Sequence, residues 1–419
     1  MDVPDAIQLM GDKQWQEIKS RLTDKFNKMM KGLFRQKGAQ LDINILASDE
    51  AQEFITTHAG ILDTGFQKVE MSDKMRERLT RSNYIFSGIK TFHELNEAFP
   101  SMLDENGNKK PFERFLNDVQ KINDTYNANY LHAEYNFVQA SATMAAKWEQ
   151  FSEDGDRYYL QYRTAHDDKV RPEHAALDGV TLPMSDSFWE TYYPPNGWNC
   201  RCTVVQVRKQ KYPATEHGEA MSRGEEAMNG ERYNIFRFNS GKQGKTMPDY
   251  NPYTIRRCND CDVAKGKLKL GFVPDYQLCQ GCIMIRKCNE DRNRDNSAKA
   301  TKKSPEVKKL QGTTISNPDF NHEVLITGGS IKEWTNQPHK EYAAKNSILK
   351  HIAKVFREAK YIGFIDNFKK KPGVKQSHLF ETNVLGELSW IIVREYEIGE
   401  FVLHSISDSD KIKTGIRKE

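Results

Sequence analysis

The chain has 419 residues, of which 37% are hydrophobic and 29% charged, and its formal net charge is +4. This length allows about two to four domains, and the small net charge excludes a basic field over the whole surface that would recruit nucleic acid. No stretch approaches the roughly 20 apolar residues of a transmembrane helix, and the first residues lack a basic segment followed by an apolar one. We therefore expect a soluble protein without a membrane partner, made in the cytoplasm.

Residues 1–130 are predicted to form a helical scaffold. Apolar side chains recur every three or four residues over 15–33, which is typical of an amphipathic helix. Thr91 followed by Glu94 has the spacing of a capping box and predicts that a short helix begins there. A long helix is predicted over 111–148, because a proline is well suited to the first turn of a helix.

A turn-rich region with two predicted strands follows this scaffold. Alternating apolar residues predict strands over 157–163 and 203–207, and the segment between them is rich in Pro, Gly, Asn and Asp. A small sheet with such long connections needs internal support. Trp189 and Trp198 can supply it as buried apolar area.

A metal ion is a second form of support for this sheet. His174, Cys200 and Cys202 offer three ligands of the types that zinc prefers, and His166 or Asp167 would complete the set. The alternative is a hydrogen-bonded histidine beside buried thiols. The sequence thus predicts a candidate metal site here and leaves its fourth ligand open.

Five short motifs occur in order within this region, namely R-T-A-x-D, V-R-P-E-H, L-D-G, P-P-N-G-W and N-C-R-C. With them, residues 131–210 resemble the phage Mu F-like (head morphogenesis) domain of minor capsid proteins. The resemblance implies a phage or prophage protein of the virion head, made in the bacterial cytoplasm and needed for head assembly beside portal and capsid proteins. Many family members carry cysteines where this chain has Arg171 and His174, so the chain departs from that version of the pattern.

Two Cys-x-x-Cys pairs follow within residues 254–288, separated by seventeen residues. Each pair can direct two thiolates at one ion, and two pairs complete a tetrahedron with no open position for water. The ligands of this predicted structural zinc knuckle are Cys258, Cys261, Cys279 and Cys282. A redox pair or free thiols are the alternatives. All seven cysteines lie within residues 200–288, which favours metal ligands in a reducing compartment over disulfides.

Polar segments flank the knuckle, and apolar periodicity returns after them. Residues 211–253 are interpreted as a polar connector with scattered glycines, either an extended arm over neighbouring subunits or a loosely packed segment. Residues 289–313 are interpreted as a linker, because they are nearly free of large apolar residues. Residues 314–419 are predicted to form a compact unit with one helical region over 338–360. Its predicted strands are 361–366, 378–384, 388–397 and 401–406.

The predicted fold class is therefore α+β multidomain. It combines a helical N-terminal region with a small sheet, a four-cysteine zinc knuckle, and a C-terminal helix with a four-stranded antiparallel sheet. This C-terminal layout, with S-H-L-F at 377–380 and L-H-S-I-S-D at 403–408, resembles the barnase–EndoU–colicin–RelE-like nucleases. In phages such domains are often fused to a Mu F-like domain. The resemblance implies RNA cleavage by acid–base chemistry without a metal.

Several residues of the C-terminal module suit that chemistry. The candidate catalytic residues are His378, His404, Ser405 and His339. Histidine takes and gives protons near neutral pH, and Ser405 is the candidate for a phosphate contact. Neighbours in a strand face opposite sides, so His404 and Ser405 share one cleft only if the strand has a bulge. The candidate RNA-binding residues are Lys369, Lys370, Lys371 and Lys375.

These predictions combine into a minor head protein whose C-terminal module is a toxin-like endoribonuclease, with RNA as substrate and an immunity protein as a further partner. Enzymatic activity is left open, because a purely structural virion protein with an inactive or binding C-terminal module is the alternative. A DNA-binding packaging protein centred on the knuckle is a third hypothesis. The near-neutral net charge argues against it.

Overall fold

The computed structural model describes residues 12–38, 40–248, 251–253, 275–367 and 371–417, with the backbone alone for 12–15, 231 and 275–279. The chain divides into two compact units, residues 1–289 and 290–419. No helix in the described ranges is long and apolar enough to cross a membrane.

Helices dominate the first unit. They are α1 (Asp12–Phe34), α2 (Asp49–Thr64), α3 (Asp73–Ala98), α4 (Phe112–Asp124), α5 (Leu131–Asp154), α6 (Pro172–Ala175), α7 (Phe188–Thr191), α8 (His217–Ala227), α9 (Ser240–Gln243) and the first half of α10 (Asp275–Lys303). Its small antiparallel sheet has the order β2-β1-β3. The strands are β1 (Tyr159–Arg163), β2 (Thr181–Pro183) and β3 (Thr203–Val207).

The helical predictions for this unit are confirmed in part. The apolar stripe over 15–33 lies within α1, where Leu22, Phe26 and Leu33 are completely buried. The predicted helix start at Thr91 is wrong, because Thr91 lies inside α3 and its hydroxyl donates to a backbone carbonyl one turn earlier. Ser72 caps α3 instead, accepting from the N–H of Met75. A capping-box spacing inside a helix thus had no capping role here.

The helix predicted over 111–148 is interrupted rather than continuous. Pro111 directly precedes α4, as expected, but the residues between α4 and α5, Thr125–Tyr130, form a π-helical segment. Such segments turn backbone carbonyls out of the regular pattern. Here the carbonyl of Tyr126 accepts a hydrogen bond from the ammonium group of Lys90.

A buried polar network crosses the helical core at this point. Lys90 is 1% exposed, and its Nζ donates to Glu134 Oε2 at 2.6 Å and to His58 Nε2 at 3.2 Å. The hydroxyl of Tyr253 donates to the other carboxylate oxygen of Glu134. Burial and the neighbouring Lys90 lower the pKa of His58 to about 4, so this histidine is a neutral acceptor. The network therefore ties α2, α3 and α5 together through one buried ion pair.

Glu94, on the same helix as Lys90, provides a pH-dependent test of this core. It is fully buried, its Oε2 accepts from Asn127 Nδ2 at 3.2 Å, and burial raises its pKa from 4.5 to about 8. Between about pH 4.5 and 8 the unfolded chain loses this proton while the folded chain keeps it, so stability falls as the pH rises through that window. The variant Glu94→Gln lacks this pH dependence. The free energy of unfolding of the variant, relative to that of the parent, should therefore rise by roughly 1 kcal/mol for each pH unit in this window. Urea unfolding at pH 5 to 8 measures this difference, and Glu77→Gln on the exposed face of α3 is the control. If the free energy of unfolding had the same pH dependence in Glu94→Gln and in the parent, the prediction would be contradicted.

The second unit is one mixed sheet covered by short helices. The helices are α11 (Pro305–Lys308), α12 (Gly328–Asn336), α13 (Tyr342–Ile348) and α14 (Ile352–Glu358). The strands are β4 (Thr314–Asn317), β5 (Phe320–Leu325), β6 (Lys360–Asp366), β7 (Val374–Val384), β8 (Glu387–Tyr396) and β9 (Phe401–Ser407). Their order is β4-β5-β9-β8-β7-β6, with β5 parallel to β9 and the other pairs antiparallel.

The four strands predicted in this unit are confirmed and pair antiparallel in the predicted order as β6 to β9, but the sheet has six strands rather than four. The β4–β5 hairpin adds two strands beside β9, because the chain returns after α12 to α14 and places β9 next to β5. The helix predicted over 338–360 is divided into α13 and α14. The segment predicted as a linker begins where the two units divide, but residues 290–303 continue α10. Its Lys, Arg and Ala residues favour a helix without leaving an apolar stripe in the sequence.

Candidate metal centre

The turn-rich region packs its aromatic residues to hold two loops together. Tyr162 of β1 donates its hydroxyl to Asn196 Oδ1 at 2.8 Å, and Tyr193 donates to the carbonyl of Met144 at 2.9 Å. Trp189 is completely buried, as predicted, and its Nε1 donates to the carbonyl of Pro183. These contacts fix the loop before β3 against β1 and α5.

His174 and the two cysteines of this region meet in the space thus formed. Pro172 occupies the first turn of α6, and the short helix places His174 on its buried side. His174 Nδ1 lies 3.7 Å from Cys200 Sγ and 3.6 Å from Cys202 Sγ. All three donor atoms lie within 4.8 Å of one another in buried positions. The sequence prediction that these three residues converge is confirmed.

Gly197 leaves space for the side chain of Arg171 in this arrangement. A Cβ atom there would lie 2.7 Å from Arg171 Nη1 and 3.6 Å from His174 Cε1. Arg171 also donates through Nη2 to the carbonyl of Trp198 at 2.6 Å. No role for Arg171 followed from the sequence, although the V-R-P-E-H motif contains it. The structure shows that it joins the loop of α6 to the Asn-Gly turn.

The chemistry of the cluster suits a divalent ion of zinc type. Two thiolates and one imidazole are typical zinc ligands, and the three residues can reach a common point. A hydrogen bond from Cys202, with a further contribution from His174, lowers the pKa of the Cys200 thiol. The hydrogen bond to Cys200 and burial raise the pKa of Cys202. The second nitrogen of His174 is buried without a hydrogen-bond partner among the described residues.

The structure does not bring the two predicted fourth ligands into the cluster. His166 is half-exposed, with its Nε2 3.4 Å from Asp178 Oδ1. Asp167 forms a two-point ion pair with Arg201, at 2.5 and 2.7 Å. Among the residues described, the metal-type cluster thus consists of three ligands.

The predicted four-cysteine knuckle cannot be placed in the same way. Cys258 and Cys261 lie outside the described residues, and for Cys279 only the backbone, within α10, is described. Cys282 is completely buried in the first unit, and Arg286 Nε lies 3.3 Å from its sulfur. In the backbone of α10, Cys279 and Cys282 are about one helical turn apart, rather than in a tight turn. The knuckle stays a prediction.

In the second unit, His378 lies in a hydrogen-bonded chain of side chains. It is 2% exposed, with Nδ1 2.9 Å from the Tyr361 hydroxyl and Nε2 3.1 Å from Glu395 Oε2. Lys375, one of the predicted RNA-binding residues, donates to the other Glu395 oxygen at 2.6 Å. Burial opposes ionisation of Glu395, but the hydrogen bonds from Lys375 and His378 prevail and lower its pKa. The sequence analysis missed Tyr361 and Glu395, although a glutamate in register with core residues of β8 was a signal.

The other candidate catalytic residues have separate partners. His339 Nε2 lies 2.9 Å from Ser389 Oγ, and its Nδ1 accepts from the N–H of Glu341, so both ring nitrogens are engaged. His404 is the extra residue of a β-bulge between β8 and β9. Burial, with the charges of Arg394 and Lys371, lowers its pKa to about 4.

The remaining candidates lie on β9 and in the segment before β7. Ser405 is 1% exposed, which leaves little room for a phosphate contact. Lys371 is exposed, and Lys369 and Lys370 lie outside the described residues. The catalytic and RNA-binding roles of these residues stay predictions.

Comparison with known proteins identifies the class of protein to which this fold and cluster belong. Residues 106–205 match the model of the Phage Mu protein F like protein family. The chain is 31% identical over 329 residues to the putative capsid assembly protein F of Escherichia phage Mu, covering 72% of this chain and 68% of that protein. It is also 33% identical over 102 residues to the Mu-like prophage FluMu F protein of Haemophilus influenzae, covering 24% of this chain and 22% of that protein.

The chain therefore belongs to the Phage Mu protein F like family, as the five motifs predicted. Relatives of this kind fit the predicted location in the virion. Residues 293–403 match the Large polyvalent protein-associated domain 3, where the sequence analysis had predicted a nuclease family. No solved structure matches the chain significantly.

Proposed function

We propose that the chain is a minor head protein that takes part in phage head assembly, in contact with portal and capsid proteins. The observation that carries this proposal is the 31% identity, over 72% of the chain, to a putative capsid assembly protein. The large helical first unit supports it, because it contains the family match and a core tied together by a buried ion pair. A protein built into a particle gains from such a fixed scaffold.

Within this role, we propose that His174, Cys200 and Cys202 hold a structural zinc ion. The three donors come from α6 and from the loop before β3, which are joined elsewhere mainly by aromatic packing and single hydrogen bonds. One ion would connect both segments at the centre of the family domain. The predicted zinc knuckle at Cys258, Cys261, Cys279 and Cys282 is a second, separate proposal that rests on sequence spacing.

Particles made with and without the chain test the head-assembly role. Deleting its gene from the encoding phage or prophage should lower the yield of DNA-filled heads, counted by electron microscopy after induction, and the intact gene supplied in trans should restore it. Purified particles should contain the chain by mass spectrometry. The proposal would be contradicted if the deletion strain gave a normal yield of heads and if particles from the parent strain did not contain the chain.

A second proposal concerns the second unit, which we infer to be an endoribonuclease with His378 as proton carrier. The observation in favour is the Tyr361–His378–Glu395 chain, in which an imidazole lies between a hydroxyl and a carboxylate. A carboxylate that orients a histidine is a common arrangement in acid–base catalysis. Such an activity would require an immunity protein to protect the producing cell.

The full chain incubated with RNA in the presence of EDTA tests this second proposal. His378→Ala should lower the cleavage rate by about 100-fold or more, because acid–base catalysis contributes factors of that order. His351→Ala, at an exposed position of the same unit, is the control and should cleave normally. Absence of cleavage by the folded parent chain, or equal rates for both variants, would leave the unit without this enzymatic role.

A further inference from the structure

A cavity of about 300 Å³ opens beside the three-ligand cluster of the first unit. His174, Cys200 and Cys202 all line it. A tetrahedral ion bound by three protein donors keeps one coordination position for an outside ligand. Because the three donors share the wall of this cavity, an ion held by them would be accessible from it.

The electrostatics of the cavity favour an anion at that position. Lys169, Arg171 and Arg201 line it, and its described lining contains no carboxylate. Asp167 neutralises Arg201, but Arg171 donates to a neutral backbone carbonyl and keeps its charge. Two thiolates already balance the charge of a divalent ion, so an anionic fourth ligand gains from these cations as well as from the metal.

We propose that the fourth ligand of this centre is a carboxylate from outside the chain, either an aspartate or glutamate of a partner protein or a small free acid. This rests on the proposed metal binding. The cavity holds the volume of roughly ten waters, enough for a carboxylate side chain. The ion would then bind an acidic group from outside the chain, in addition to joining α6 to the loop before β3.

An internal ligand is the competing arrangement, and His132 is the residue to test. It lies in the first turn of α5 and lines the same cavity, but it is not within the 4.8 Å cluster. If His132 completed the tetrahedron, the centre would be closed and would not respond to added anions.

Cobalt(II) in place of zinc reports the coordination through its visible absorption bands. We expect acetate added to the cobalt-loaded full chain to shift these bands saturably, and His174→Ala to abolish the response. Four thiolates leave no open position, so cobalt at the predicted knuckle should not respond to acetate. Lys169→Ala should weaken the apparent acetate affinity about fivefold. Arg208→Ala, an exposed cation outside the cavity lining, should not change it.

The source of the carboxylate is separated by comparing acetate with a short glutamate-containing peptide and its glutamine counterpart. A response to the peptide at much lower concentration than to acetate indicates a protein side chain, and equal responses indicate a small acid. Bands that ignore acetate, or that change in His132→Ala without any acetate, overturn the proposal. Absence of cobalt binding that depends on His174 overturns the metal centre itself, and this inference with it.

Discussion

Replacing His174 with alanine is expected to remove one equivalent of bound zinc and to lower the stability of the first unit. If the three donors, which lie within 4.8 Å of one another, hold zinc as proposed, the unfolded chain would not hold the ion in this geometry, so binding energy would add to folding energy. With free zinc a hundredfold above the dissociation constant, this contribution is about 2.7 kcal/mol. The measurement is zinc content by mass spectrometry together with thermal unfolding, with and without a chelator.

His166→Ala is the matched control for this prediction. His166 lies in the same region, but its ring faces Asp178 rather than the thiols. We expect the chelator to lower the melting temperature of the parent and of His166→Ala by more than that of His174→Ala, which would keep only the zinc of the proposed knuckle. Equal zinc content in all three chains would refute the assignment of His174 as a ligand.

Lys90→Met is expected to be the most damaging single change in the helical core. Glu134 would remain as a buried carboxylate without its cation, and breaking a buried ion pair in this way costs about 3 to 5 kcal/mol. The double variant Lys90→Met, Glu134→Leu removes both charges and should recover much of that loss. Urea unfolding of the single and double variants gives the coupling energy through a double-mutant cycle.

An exposed ion pair of the same unit is the comparison. Lys25 and Glu53 are 2.5 Å apart on the surface, where water solvates each partner separately. Lys25→Met should therefore have a much smaller effect than Lys90→Met. Equal losses for the two variants, or no recovery in the double variant, would show that the buried pair does not stabilise this core.

Local patterns in the sequence predicted the parts of the fold that depend on burial of one side of an element. The apolar stripe of α1 shows which face of that helix is buried, and the structure confirms it. Such patterns do not show which strands or helices lie next to each other in the fold. The β4–β5 hairpin and the parallel pairing of β5 with β9 depend on where the chain returns after α14, and no local periodicity encodes this.

The two candidate sites differ in the same way. Cys200-x-Cys202 is a short-range signal, and the turn-forming residues around it made the meeting with His174 predictable. Tyr361, His378 and Glu395 come from three strands, and only their register brings hydroxyl, imidazole and carboxylate into line. His378 was a candidate because of its residue type alone. Its partners Tyr361 and Glu395 could be recognised only from the pairing of β6 and β8 with β7.

Residue types at short spacing were sufficient to predict the family of this protein, many of its helices and strands, and the three ligands of the candidate metal centre. The tertiary structure was needed to show that Lys90 pairs with Glu134, that His166 and Asp167 face away from the cluster, and that a cation-lined cavity opens beside the cluster. These features join residues far apart in the chain. Their contacts follow from how whole helices and strands pack, which is a property of the folded core and not of any one segment.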